Sequence, residues 1–331
     1  MTFKYNNVYV LESCTVAGPY EAKGPLENTF DKTFDNLYNG EKTWEKAETK
    51  TLKECLEILL DKAKKKSNDI DLIISGDLDN QIAASCYASY DFNLPFLGIY
   101  SACSTSIEGI IIGSSLIDSK KAKNIIASTS SHNMTSEKQF RNPTEYGAPK
   151  PKTATFTATG GASILLTSTK TNVKVESSTI GRIMDYNQTD PLNMGAVMAP
   201  AAADTLYNHL QDTNRKADYY DLILTGDLGL YGKEILIDFM KSQYNIDISD
   251  NYNDCGVMLY DLGKQKEIMA GGSGPVCSAL VNYGLIMDKL KKKELKKGLL
   301  IATGALFSPT SVFQHEHILS IAHAVSLEVV E

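Results

Sequence analysis

One cysteine occupies a position where a reactive thiol could form. Cys103 follows an apolar stretch that predicts a strand, residues 96–100, and precedes an apolar stretch that predicts a helix, with Ser104 and Thr105 at its start. A helix N-terminus carries a partial positive charge and unpaired N–H groups, which favour the thiolate form of a nearby cysteine. The same groups also bind carboxylates without a covalent step. Buried cysteines are common as small apolar residues too, so a nucleophile, an anion site and a packing role all remain open.

Three further polar residues, His132, Asp77 and Asp227, each follow a predicted strand. Because the carboxyl ends of parallel strands face one crevice, we expect His132 to point toward Cys103, where it could act as a base. The two aspartates could bind a ligand or Ca²⁺, or they could cap helix N-termini. Capping is the more common role, and we expect it for at least one of the two.

A long polar connection runs from residue 131 to residue 152, which is unusual inside a compact domain unless the loop is functional. Lys138 and Arg141 are three residues apart and share a face if this segment is helical. They would then offer two cations, with Tyr146 close by, to a planar aromatic dianion. The alternative is a solvated loop with ordinary surface charges.

The composition excludes several classes of protein. The 331 residues carry a formal net charge of −7, and the lysine runs adjoin acidic residues, so nucleic acid is not an expected partner. Six widely spaced cysteines without a Cys-x-x-Cys pair predict neither a zinc site nor a disulfide framework, and they fit a reducing compartment. The first ten residues lack the apolar core of a signal peptide, and no apolar run approaches about 18 residues. We therefore expect a protein made in the cytosol whose membrane association is peripheral.

Two segments of the chain are near copies of each other. Residues 71–78 read Asp-Leu-Ile-Ile-Ser-Gly-Asp-Leu and residues 221–228 read Asp-Leu-Ile-Leu-Thr-Gly-Asp-Leu, so six of eight positions are identical. Two shorter matching pairs keep the same order along the chain, which indicates a duplication. We expect an N-terminal half at residues 1–171 and a C-terminal half at residues 172–331, which together form one compact module.

The apolar patterns predict how these halves are layered. The helix at residues 45–66 has one apolar stripe and should lie on the outside of a sheet. The segment at 104–117 is apolar nearly all round and should be buried between layers, and the apolar run after 271–275 is its counterpart. We predict an α/β fold with five layers, αβαβα, and two buried central helices.

Several longer motifs resemble those of a known family. They lie at residues 76–78, 102–106, 130–133, 137–141, 143–147, 199–205, 270–274 and 302–306. They extend over essentially the whole chain, which resembles the stage V sporulation protein AD (SpoVAD) family. More distantly, the two halves resemble the thiolase and ketoacyl-synthase superfamily, through the duplication and the cysteine at the strand-to-helix elbow.

The resemblance implies a function that the residues alone do not. It implies a component of the SpoVA apparatus that binds dipicolinic acid (pyridine-2,6-dicarboxylate), alone or with calcium, during uptake into spores and release at germination. The implied partners are the other SpoVA membrane proteins at the spore inner membrane, and superfamily analogy implies a homodimer. No cofactor and no protein-bound metal are expected. The implied ligand site comprises Cys103, Ser104, Thr105, His132, Lys138, Arg141, Tyr146, Asp77, Asp227 and Ser273.

The chain departs from the distant superfamily where catalysis is concerned. Condensing enzymes pair the elbow cysteine with two groups of the second half, either two histidines or a histidine and an asparagine. Here the corresponding positions carry Asp227 and Ser273. Loss of one oxyanion donor costs roughly 10²-fold to 10³-fold in rate, so carbon–carbon bond formation is not expected. A cysteine-dependent acyltransferase that uses Cys103 with His132 as base remains the alternative.

Overall fold

The computed structural model of the chain describes residues 1–140 and 149–331. Its strands are β1 Thr2–Lys4, β2 Tyr9–Ala17, β3 Lys32–Thr33, β4 Leu72–Gly76, β5 Phe96–Gly98, β6 Asn124–Ser131, β7 Phe156–Thr157, β8 Gly160–Thr167, β9 Val173–Ile180, β10 Leu222–Thr225, β11 Tyr252–Asp254, β12 Gly272–Ser273, β13 Lys297–Leu306 and β14 Leu319–Val329. Its α-helices are α1 Trp44–Ala63, α2 Ala83–Tyr90, α3 Thr105–Asp118, α4 Asn133–Phe140, α5 Met194–Thr213, α6 Gly229–Tyr244, α7 Cys255–Met258, α8 Pro275–Leu280, α9 Met287–Lys291 and α10 Pro309–Phe313. A π-helical segment, Val281–Ile286, joins α8 to α9 in one continuous helix.

The sheet repeats its topology in the two halves of the chain. Its main path runs β11-β10-β13-β14-β9-β2-β8-β6-β4-β5. Within each half the strands follow the same order, third, second, fourth, fifth, first, and in each half the fifth strand is antiparallel to its neighbours. The halves join where β2 meets β9 at the single pair Tyr9 and Lys174, so both five-strand units belong to one continuous sheet. The predicted duplication is confirmed.

Neighbouring side chains of a strand point to opposite faces of the sheet, and this alternation explains the layers. Ile73 of β4 packs in a cluster with the apolar stripe of α1, while its neighbour Ile74 packs with the central helix α3. In the second half, Leu299 of β13 packs with α5, and Leu300 packs in the central cluster. The two helices of the central layer, α3 and α8–α9, therefore lie between the two halves of the sheet, as predicted for the αβαβα sandwich.

The boundaries of the two predicted N-terminal helices differ from the structure by a few residues. Helix α1 begins after Thr43, whose side chain accepts a hydrogen bond from Lys46 N, and it ends before Lys64 in the left-handed region. Helix α3 begins at Thr105 because Ser104 still belongs to the preceding turn. Among the described residues, no helix combines the length and the apolar character needed to cross a bilayer.

Candidate functional site

One pocket lies where elements of both halves meet, and its empty volume is about 430 Å³. Its lining is mostly apolar and aromatic, as is usual for small-molecule sites. The lining residues are Leu78, Tyr100, Ala102, Cys103, Ser136, Phe140, Thr157, Met194, Ser273, Gly274, Ala305 and Phe307. The N-termini of both central helices open onto this pocket, since Cys103 and Ala102 precede α3, and Ser273 and Gly274 precede α8.

The turn that carries Cys103 is a strained elbow. Ala102 has a φ of 48°, a left-handed conformation that is uncommon for a residue with a Cβ. Ser104 Oγ donates to Ser101 O at 2.7 Å, and Thr105 Oγ1 donates to Ala102 O at 2.7 Å. Ser104 and Thr105 are fully buried behind the elbow. Both hydroxyls hold the turn, and neither residue is among those that line the pocket.

Asp227 is the acidic neighbour of Cys103. Its carboxyl group is fully buried, accepts hydrogen bonds from Thr303 Oγ1 at 2.7 Å and Gly274 N at 3.1 Å, and also bonds the Cys103 side chain. Burial raises the pKa of Asp227 to about 7, although these hydrogen bonds oppose the rise. When ionised, Asp227 repels a thiolate. The contact therefore favours the protonated form of Cys103 and does not activate it.

His132 does not face Cys103. Its Nε2 lies 2.7 Å from the backbone oxygen of Leu37, and its Nδ1 accepts a hydrogen bond from Met134 N at 3.2 Å. The ring is fully buried, and burial lowers its pKa to about 4. Both ring nitrogens are used by the backbone, so the expectation that His132 acts as a base toward Cys103 is not supported by this geometry.

Of the two predicted cationic side chains, the structure describes that of Lys138. Lys138 extends outward from α4 and forms an ion pair with Glu45 of α1, with Nζ 2.5 Å from Oε1 and more than half of its side chain exposed. It contacts a carboxylate at the surface and is not a pocket-lining residue, which corrects the placement expected for it. Arg141 and Tyr146 lie outside the residues that the structure describes.

Asp77 directly follows β4 and caps a helix. Its two oxygens accept hydrogen bonds from Asp79 N at 2.8 Å and from Ser85 N in the first turn of α2 at 2.7 Å. The capping interpretation is therefore correct for Asp77, which is fully buried and is not among the lining residues. In the second half this task falls to Asp254, which sequence reasoning missed because it lies 25 residues or more from the groups it binds, Leu228 N and Gly229 N.

The fold is similar to those of two proteins of solved structure. The chain superposes on 3-oxoacyl-[acyl-carrier-protein] synthase III from Aquifex aeolicus with a TM-score of 0.60 and 13% identity, over 97% of this chain and 99% of that one. Cerulenin-bound OleA from Xanthomonas campestris gives a TM-score of 0.64 and 13% identity, over 99% of this chain and 100% of that one. The protein therefore has a thiolase-like fold, which is the class that its duplicated sheet and elbow cysteine define.

Sequence comparison gives the family within this class. The family model for stage V sporulation protein AD (SpoVAD) matches residues 1–328. The chain is also 44% identical over 321 residues to stage V sporulation protein AD of Bacillus subtilis (strain 168), which covers 97% of this chain and 94% of the relative. The chain belongs to the SpoVAD family, and its role lies in sporulation.

Proposed function

We propose that the pocket binds dipicolinic acid, alone or with Ca²⁺, and that the protein serves its uptake into the developing spore and its release at germination. The observation that carries this proposal is the environment of Cys103. The thiol is bonded to a buried carboxyl group, and the histidine expected as its base is bonded to backbone atoms elsewhere. A pocket whose elbow cysteine has no such base is better suited to binding than to acyl transfer.

The pocket offers complementary features for an aromatic dicarboxylate. The N-termini of α3 and α8 bring the positive ends of two helix dipoles to the same cavity, which suits a ligand with two carboxylates. Phe140 and Phe307 contact each other edge to face at the pocket wall and provide apolar surface for a ring. Tyr100 lines the pocket and can donate a hydrogen bond, because burial raises its pKa to about 12 and keeps the phenol protonated.

Asp227 makes binding of a dianion dependent on pH. An ionised Asp227 repels the ligand, whereas a protonated one does not. Since burial raises the pKa of Asp227 to about 7, part of the population is neutral under ordinary conditions. We expect dipicolinate to bind more tightly at pH 6 than at pH 8.

Calorimetric titration with dipicolinic acid, with and without Ca²⁺, tests the proposal. Wild-type protein should bind saturably, and Phe307→Ala should weaken binding about tenfold through lost ring contact. Phe313→Ala is the matched control, because Phe313 is 82% exposed on α10 and is not a lining residue. Arg141→Ala should also weaken binding, and by more than Cys103→Ala.

The opposite results would favour the acyltransferase alternative. No saturable binding to wild-type protein would overturn the dipicolinate proposal. The acyltransferase alternative would then be established by an acyl adduct that forms on Cys103 during incubation with an acyl-CoA and is absent from Cys103→Ala.

We further propose that the chain associates peripherally with the spore inner membrane through the other SpoVA proteins. Assembly and ligand binding would then use different surfaces. Phe307→Ala should therefore co-purify with its membrane partners as well as wild-type protein does. Loss of the partners together with dipicolinate binding would contradict this separation.

We also propose a homodimer formed along the edge strand β5. This strand pairs with β4 and is the last strand on the main path of the sheet, and exposed apolar side chains lie on β5 and on helix α2. These are Tyr87, Tyr90, Phe96 and Leu97. Patches of this kind next to a sheet edge favour pairing with a second chain. Light scattering should give a dimer for wild-type protein and a monomer for Leu97→Lys; a wild-type monomer would refute the proposal.

A further inference from the structure

Three carboxyl groups meet directly behind the pocket wall. Glu48 comes from α1, Asp77 from the end of β4, and Asp79 from the loop that follows. One oxygen atom from each lies within 4.8 Å of those of the other two. Glu48 and Asp77 are essentially without solvent contact, and Asp79 is 6% exposed. We call these three residues the acidic triad.

In two members of the triad, both carboxylate oxygens accept hydrogen bonds from protein donors. Glu48 accepts hydrogen bonds from Ser130 Oγ at 3.0 Å and from Thr135 Oγ1 at 2.9 Å. Asp77 accepts two backbone N–H groups, as described above. By contrast, Asp79 Oδ2 is buried and has no hydrogen-bond partner within ordinary distance among the described residues, although the nearby Thr135 hydroxyl, which donates to Glu48, acts to lower the pKa of Asp79. An unpaired carboxylate oxygen in a buried site is unfavourable unless a proton or a cation compensates it.

Burial and mutual repulsion oppose ionisation of the three carboxyl groups unless a proton or a cation is bound. Burial, followed by the charge of Asp77, raises the pKa of Asp79 to about 7. Burial, followed by the charges of Asp79 and Asp77, raises the pKa of Glu48 well above its usual value. The nearby ammonium of Lys138 is paired with Glu45, so it offsets the triad only from a distance. Two states remain for the triad, one that holds protons and one that holds a cation.

We propose that Glu48, Asp77 and Asp79 bind one Ca²⁺ ion. Carboxylate oxygens are the ligands that hard divalent cations prefer. The hydroxyls of Ser130 and Thr135, already at Glu48, add further oxygen atoms around the same point. A buried cage of protein oxygens suits Ca²⁺ better than Mg²⁺, because Mg²⁺ keeps several of its water molecules.

The position of the triad links this ion to the pocket, a link that rests on the proposed function. Leu78, which lies between Asp77 and Asp79 in the chain, lines the pocket. So does Ser136, the neighbour of Thr135. A cation bound by the acidic triad, next to the pocket-lining residue Leu78, would make the electrostatic potential in the pocket less negative for a dicarboxylate. Ca²⁺ in the triad would therefore strengthen binding of dipicolinate without contacting it.

Titration of metal-free protein with Ca²⁺, in the absence of dipicolinate, tests the site directly. Wild-type protein should bind one Ca²⁺ per chain and melt at a higher temperature in its presence. Asp79→Asn should lower the affinity for Ca²⁺ at least tenfold and remove the shift in melting temperature. Glu48→Gln is a second variant with the same expectation.

Glu21→Gln is the matched control. Glu21 is also fully buried, has a pKa that burial raises to about 7, and has one oxygen without a partner among the described residues, but it bonds Tyr260 and Thr159 away from the triad. It should keep the Ca²⁺ response of wild-type protein. If wild-type protein binds no Ca²⁺, or if Glu21→Gln loses binding to the same extent as Asp79→Asn, the triad is held by protons and the inference is wrong.

A second titration, with dipicolinate added to metal-free wild-type protein, separates this inference from the proposed function. Dipicolinate binding without any Ca²⁺ binding would overturn the cation site and leave the proposed function intact. Ca²⁺ binding without any dipicolinate binding would overturn the proposed function and leave the cation site intact.

Discussion

The two copies of the Gly-Asp-Leu segment end equivalent strands but perform different tasks. In the first half, Asp77 turns back onto α2 and caps its first turn. In the second half, Asp227 turns toward the centre of the molecule and bonds Cys103, Thr303 and the start of α8. Identical residues at equivalent strand ends therefore acquire different partners.

The difference originates in a third aspartate. Asp254 ends β11 and accepts hydrogen bonds from Thr225 Oγ1, Leu228 N and Gly229 N. It therefore binds the loop that follows β10, whereas Asp77 binds the loop that follows its own strand, β4. Asp227 is thereby released from capping and is available to the pocket. In a duplicated fold, a site can arise in one copy when a neighbouring residue takes over the structural work.

Among the substitutions that test this comparison, Asp254→Ala is expected to cause the largest loss of stability. The substitution leaves buried donors at Thr225, Leu228 and Gly229 without their acceptor, and it should lower the free energy of unfolding by about 3 kcal/mol. Urea denaturation measures the loss. A loss below about 1 kcal/mol would mean that Asp227 can resume the capping role.

An intermediate effect is expected for Asp227→Asn, and it should depend on pH. The folded-state pKa of about 7 lies above the unfolded value of about 4, so the stability that the protonated carboxyl contributes is present below pH 4 and is lost as the pH rises through 7. The amide cannot ionise. The stability of the variant relative to wild-type protein should therefore be about 2 kcal/mol more favourable at pH 8 than at pH 5.

Urea denaturation at the two pH values checks this expectation. A difference between variant and wild-type protein that stays constant with pH would show that Asp227 is ionised throughout, and its role as a pH-dependent gate for a dianion would be refuted.

The smallest effect is expected for Asp77→Asn. The amide oxygen can still accept one of the two backbone hydrogen bonds at the start of α2, so the loss of stability should be about 1 kcal/mol in metal-free protein. Thermal melts without added Ca²⁺ measure this cap alone. A loss as large as that of Asp254→Ala would show that the two capping systems are equivalent after all.

Local patterns were sufficient to predict much of the site. The elbow at Cys103 was predicted because a strand signal changes to a helix signal within a few residues. The placement of Asp227 and Ser273 near Cys103 followed from the resemblance to condensing enzymes, in which these two positions carry the partners of the elbow cysteine. The burial of Glu48 could also have been predicted from the sequence. Glu48 lies four residues before Leu52 and therefore shares the buried stripe of α1.

Other features had no local signal. The orientation of His132 depends on a carbonyl oxygen of Leu37, which lies 95 residues away in the chain. The tasks of Ser104 and Thr105 depend on the left-handed turn at Ala102, which the residue types do not reveal because alanine rarely adopts it.

The sequence alone determined the duplication, the layered fold, the buried central helices and the family, because periodicity and long motifs are properties of the chain itself. Only the tertiary structure decided which of the two repeated aspartates caps a helix and which faces Cys103. It also decided that Glu48 joins Asp77 and Asp79 behind the pocket wall. The physical reason is that hydrogen-bond partners and burial depend on residues far apart in the chain, and these meet only when the two halves fold together.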